Sequence, residues 1–126
     1  MPPENYSKNL LSTNLLKELK KMNLSYNEER LVNDISTYNI NEYIYISSFK
    51  RKHNLSYDDT IKICRLCIKM NILREVFVVS YKGKWIEKYY KLSEIPNIVY
   101  DEEDGIDISV KEENIFTCFE VISNVK

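Results

Sequence analysis

Apolar residues return along this chain at two different periods, and each change of period marks a new element. Leu10, Leu11, Leu15, Leu16, Leu19 and Met22 recur at helical spacing, so Lys8 to Met22 predicts an amphipathic helix. A second helix is expected after Ser25. Ser25-Tyr26-Asn27-Glu28 has the form of a capping box, in which hydroxyl and carboxylate each satisfy a free backbone N–H. Leu31, Val32, Ile35 and Tyr38 form its stripe, which ends near Asn39. Tyr43-Ile44-Tyr45-Ile46 predicts a brief strand. Ser47 or Ser48 would then cap a short helix ending near His53. After the turn Asn54-Leu55-Ser56, Ser56 would cap a longer helix reaching about Met70, with Asp58 and Asp59 in its first turn, where the helix dipole favours acids. Thr60, Ile61, Cys64, Cys67 and Ile68 share one face of it. Asp58, Lys62, Arg65 and Lys69 share the other.

From Arg74 the period falls to two. Val76, Val78 and Ser80 alternate with Phe77, Val79 and Tyr81, which predicts a strand to Tyr81. Lys82-Gly83-Lys84 is a tight basic turn in which glycine supplies the backbone freedom, and Trp85 to Leu92 is the returning strand. Pro96 breaks the chain. Ile98-Val99-Tyr100 and Ile106-Asp107-Ile108 then read as a hairpin with an acidic tip, Asp101 to Gly105. Ser109-Val110-Lys111-Glu112 has the form of another capping box. Ile115, Phe116, Cys118, Phe119 and Ile122 fall on one helical face, which favours a helix over 110–123. The same residues have high β-propensity, so a strand is the alternative.

In sum the elements predict an α+β chain, mostly helical. Tyr26 to Leu92 resembles a winged helix–turn–helix domain. The resemblance is carried by Tyr45 to Ser56, by the helix from Tyr57 to Met70, by Asn71-Ile72-Leu73 and by the hairpin around Gly83. Asn71 stands where many members have glycine, and asparagine is the next best residue for a left-handed helix end. The expected organisation is a single domain: an N-terminal helix over 1–24, a winged core over 25–92 and an acidic extension over 93–126. Asn23-Leu24-Ser25-Tyr26 recurs as Asn54-Leu55-Ser56-Tyr57, either as two similar helix caps or as a duplicated helix–turn–helix; two caps is the simpler account.

Charge gives the pattern a direction. Residues 1–39 hold 5 basic and 5 acidic side chains, residues 40–92 hold 11 and 5, and residues 93–126 hold 2 and 9. A chain of net charge −1 therefore carries a basic block followed by an acidic one. The resemblance implies that the helix from Tyr57 to Met70 enters the major groove of double-stranded DNA, with Tyr57, Lys62, Arg65 and Lys69 facing it. Lys50, Arg51 and Lys52 would meet phosphates, and Lys82 and Lys84 would tip the wing. The expected function is that of a DNA-binding regulator or an accessory factor of a mobile element or virus. The alternative is a protein-interaction module without nucleic acid, using the same helix through Leu66, beside Ile63 and Met70, as an exposed apolar edge. Asp58 and Asp59 weigh against DNA, because they would repel phosphate. The acidic block is expected to form a separate solvated hairpin, or to fold back on the basic face and compete with nucleic acid.

Other chemistries find little support. Cys64-Arg65-Leu66-Cys67 is a CxxC, but only His53 and Cys118 remain as further zinc ligands, so two small buried residues are expected and no metal. His53, the one histidine, is expected at the surface. Gly105 sets the acidic run in the wrong register for an EF-hand, and two glycines in all make no phosphate loop. No enzyme activity, cofactor or small-molecule substrate is expected. The 126-residue length, 44% hydrophobic share and three cysteines fit one folded domain in a reducing, cytoplasmic compartment, with no signal peptide or membrane span. The N-terminal stripe suggests a homodimer.

Overall fold

A computed structural model describes residues 3–24 and 27–125, with side chains from Leu10 onward. The elements are α1 (Pro3–Lys21), α2 (Glu28–Ser36), β1 (Tyr43–Tyr45), α3 (Ile46–Lys52), α4 (Tyr57–Lys69), β2 (Leu73–Tyr81), β3 (Lys84–Tyr89), β4 (Ile98–Asp101), β5 (Ile106–Ser109) and β6 (Ile115–Val121). Single 3-10 turns lie at Leu92–Glu94 and Glu112–Asn114. The chain divides into two compact units, one made of Met1–Arg74 with Phe119–Lys126 and the other of Glu75–Cys118. Strands β2 and β6 run through both.

The first unit is built on the helical stripes. Leu15 and Leu19 of α1, Leu31 and Ile35 of α2, Phe49 of α3 and Ile63, Cys64 and Cys67 of α4 form one core with Phe119, Val121 and Val125. Each large apolar side chain fully buried there contributes about 1.5–3 kcal/mol. Leu15 and Leu19 are completely buried, so α1 spends the centre of its stripe on its own core, packed against α2 and α4. Three helices stop at an asparagine: Asn23, Asn54 and Asn71 have φ of 54°, 52° and 60°. After α3 the N–H of Leu55 donates to the Lys50 carbonyl and that of Asn54 to Arg51. After α4 the N–H of Ile72 donates to Cys67 and that of Asn71 to Ile68. Both are Schellman ends, in which a left-handed residue lets two otherwise orphaned carbonyls be satisfied and sends the next apolar residue, Leu55 or Ile72, into the core. The echo of Asn23-Leu24 in Asn54-Leu55 is thus a repeated way of stopping a helix.

The four-stranded sheet has the order β1-β6-β2-β3, and β4 and β5 form a two-stranded sheet. The expectation of a mostly helical chain is therefore corrected: among the described residues six strands accompany the four helices, and the chain is sheet-rich. The segment at 115–121 is strand, not helix. Residues 118–121 are all buried, because an interior strand is covered on both faces. Two-faced burial erases the alternation that would have announced a strand. A row of side chains crosses this part of the sheet. Arg74 of β2 donates to Glu120 Oε1 from Nη2 at 2.6 Å and from Nε at 3.2 Å, while the Tyr43 hydroxyl of β1 lies 3.4 Å from Oε2.

Helix caps also depart from expectation. The box at Ser25 and Tyr26 lies outside the described residues; Asn27 caps α2, its Oδ1 accepting from the Arg30 N–H at 3.2 Å. Neither Ser47 nor Ser48 caps α3, which begins after Tyr45 with no side-chain cap. No α-helix follows Lys111; instead Asn114 Oδ1 accepts from the Lys111 N–H at 3.0 Å and closes a 3-10 turn.

In the second unit, Lys82 and Gly83 have φ of 53° and 75°, a two-residue turn of the I′ kind that suits the twist of the β2–β3 hairpin. Strand β3 ends at Tyr89, short of the expected Leu92. Val99 pairs with Ile108 across β4 and β5, and both bury against Val79.

Candidate nucleic-acid interface

Helix α4 is set with one face in the core. Ser56 Oγ accepts from the Asp59 N–H at 3.1 Å and starts the helix; Thr60, Ile63, Cys64 and Cys67 are buried. The opposite face is exposed and carries Lys62, Arg65 and Lys69, with Tyr57 at its start 59% exposed. Asp58 is exposed on the first turn and Asp59 is half-buried beside it. Lys50 and Arg51 are exposed in the last turn of α3, one short turn before α4.

Lys52 has a different environment. Its Nζ is hydrogen-bonded to Asp34 Oδ1 of α2, and His53 Nε2 lies 2.8 Å from the other oxygen of the same carboxylate. Burial alone would raise the Asp34 carboxyl, but the bonds from Lys52 and His53 outweigh it and hold the group below the ordinary carboxylate range. The same bond pushes the Lys52 ammonium up. The His53 side chain is only 3% exposed and its ring stacks at a tilt on Phe49, centroids 4.6 Å apart. The expectation of a surface histidine is corrected: it closes the α3 end against α2. Asp34 was missed altogether, although an acid three residues after Leu31 and next to Ile35 sits inside an apolar stripe, and that was the available signal.

Leu66 is also corrected. It is half-buried and packs on the core, with Ile63 buried and Met70 partly so; the expected apolar edge is largely turned inward. Cys64 and Cys67 are buried, and burial pushes the Cys64 thiol up to about 12. Among the described residues no group of three His, Cys, Asp or Glu side chains could hold a metal ion. No helix among them is long and apolar enough to cross a membrane.

The remaining two expected contacts, Lys82 and Lys84, belong to the second unit. Lys82 is exposed at the turn, its Nζ 5.3 Å from the centre of the Tyr81 ring. Lys84 faces the acidic hairpin instead of open solvent. Its Nζ lies 2.7 Å from Asp101 Oδ2, 3.2 Å from Asp104 Oδ2 and 3.6 Å from Glu103 Oε2. The ion pair that Lys84 makes with Asp101 raises the lysine and lowers the carboxyl in turn. Asp101 also shapes the tip, its Oδ1 accepting from the Glu103 N–H at 3.1 Å. The two charge blocks therefore answer each other inside each unit, through Arg74 and Glu120 in the first and Lys84 and Asp101 in the second.

The chain matches no protein-family model, no curated protein and no solved structure.

Proposed function

We propose that this chain binds double-stranded DNA through α4, as a transcriptional regulator or accessory DNA-binding factor of the winged helix–turn–helix kind. The observation that carries this is the exposed face of α4. Lys62, Arg65 and Lys69 share it with Asp58, Tyr57 stands exposed at its start, and the opposite face is anchored in the core. A helix held this rigidly and lined with long cations fits a major groove, where arginine and lysine reach guanine edges. Lys50 and Arg51 supply phosphate contacts from α3. Lys52 and Lys84 contribute least in this scheme, because Asp34 and Asp101 already hold their charges. The rival, a protein-interaction module built on Leu66, has less to stand on because that side chain packs inward.

A salt titration of binding to duplex DNA tests the proposal. Affinity is expected to fall steeply with salt, by a slope of about 0.9 per neutralised phosphate on logarithmic axes. Lys62→Ala with Arg65→Ala should remove sequence preference, while Lys50→Ala should weaken all duplexes alike and lower the slope by about 1. Lack of measurable affinity at about 50 mM salt would sink the proposal.

A further inference from the structure

The second unit holds an open groove of about 290 Å³ whose walls suit a cation and repel an anion. Two large aromatic side chains face it, Trp85 from β3 and Tyr100 from β4, 38% and 57% exposed. Neither fills a core. The Trp85 indole is held edge-on to Phe116, centroids 6.4 Å apart and planes at 82°, so its orientation is set before any ligand arrives. Glu87, Glu102 and Glu103 rim the groove, all exposed. The one lysine in the lining, Lys84, is already engaged by Asp101. The lining therefore carries four carboxylates against one neutralised ammonium.

We propose that this groove is a docking site for a basic segment of a partner protein, which places an arginine or lysine side chain against the rings of Trp85 and Tyr100 and among the carboxylates of Glu102 and Glu103. Negative charge alone would attract any cation, including the counter-ions of the solvent. The rings add selectivity, because a guanidinium or ammonium gains from an aromatic face as well as from a carboxylate, and the gain grows as water is excluded. Arginine fits better than lysine, since its planar group can stack on a ring and reach a carboxylate with two parallel N–H donors at once. Charge complementarity selects the occupant: a phosphate backbone or an acidic peptide would meet three uncompensated like charges here, the fourth carboxylate, Asp101, being paired with Lys84. The inference is independent of DNA binding by α4, which lies in the other unit.

Trp85 is the only tryptophan in the chain, so its fluorescence reports on this groove directly. The full chain should be titrated with a short arginine-rich peptide, with a lysine-rich one, and with glutamate-rich and neutral peptides of equal length. A saturable change is expected with the basic peptides only, tighter for arginine. Tyr100→Ala should weaken binding about three- to tenfold, and Glu102→Gln with Glu103→Gln by a similar factor. Duplex-DNA affinity, measured on the same samples, should be unchanged by these substitutions, and Lys62→Ala with Arg65→Ala should leave peptide binding intact. Circular dichroism on each variant identifies any that fails to fold. The proposal is overturned if basic peptides leave the fluorescence unmoved, or if a folded Tyr100→Ala protein binds them as well as the parent, because the attraction would then be charge alone.

Discussion

Asp34 of α2 and His53, at the end of α3, meet across the first unit, Oδ2 to Nε2 at 2.8 Å, with both side chains under a tenth exposed. This contact ties α2 to the turn that sets α4, and Lys52 completes it from the more exposed side. Asp34→Ala should leave a buried histidine and a lysine without their acceptor and cost about 2–3 kcal/mol of stability. Lys52→Ala should cost under about 1 kcal/mol, because that side chain is 55% exposed and solvent replaces the bond. Urea unfolding of both variants checks the order; equal losses would mean that the buried contact adds nothing beyond a surface pair.

The same group sets a dependence on acid. The folded Asp34 carboxyl is held below its ordinary value of 3.8, while in the unfolded chain it titrates at about 3.9. A carboxyl lowered by folding stabilises fully above the unfolded value, and that share is lost as pH falls through the ordinary range toward the folded one. Stability should thus fall below about pH 5, and Asp34→Asn should be less stable at neutral pH with a shallower acid limb. Thermal melts from pH 7 down to pH 3 would show it, and parallel curves for parent and variant would refute it.

Asn71, with φ of 60°, ends α4 in the left-handed region. Asn71→Ala should cost up to about 1 kcal/mol, because both residues carry the Cβ that crowds the following carbonyl, but only asparagine has a short polar side chain that offsets the strain through local hydrogen bonding. Asn71→Gly should be neutral or mildly stabilising. Differential scanning calorimetry separates the two, and a neutral alanine variant would contradict the assigned conformation.

Deleting 93–126 should unfold the chain, not release an inhibited form. The deletion removes β6, an interior strand, and with it Phe119, Val121 and Val125 from the core of the first unit and Glu120 from Arg74. Three large-to-nothing losses of about 2–5 kcal/mol each are together as large as the whole stability of an ordinary domain, about 5–15 kcal/mol, before the lost strand pairing is counted. Loss of the far-ultraviolet helical signal and of a cooperative melt is the expected outcome. A truncated protein that melts cooperatively would contradict it.

Much of the first unit was legible from local pattern. The α4 stripe, the Ser56 cap and the exposed Lys62, Arg65 and Lys69 follow from a 3.6-residue period and a hydroxyl at the right place. The β2–β3 turn was legible from Lys82-Gly83 between alternating runs. What escaped was non-local. Residues 115–121 satisfy a helical spacing and a strand propensity equally, and only their place between β1 and β2 settles the matter. The state of a charge was equally hidden: Lys84 and Lys62 are the same residue type in the same basic block, yet one is spent on Asp101 and the other faces solvent.

The sequence by itself determined where α4 starts and stops, which of its side chains face solvent as cations, and that basic and acidic side chains segregate along the chain. These are properties of residues within a few positions of one another, governed by backbone geometry and local burial. Only the tertiary structure decided which strand lies in the middle of the sheet, that His53 is buried on Asp34, and that part of the charge segregation cancels. Those outcomes depend on pairings between residues tens of positions apart, such as Lys84 with Asp101 and Arg74 with Glu120. A pattern along the chain holds no distance across it.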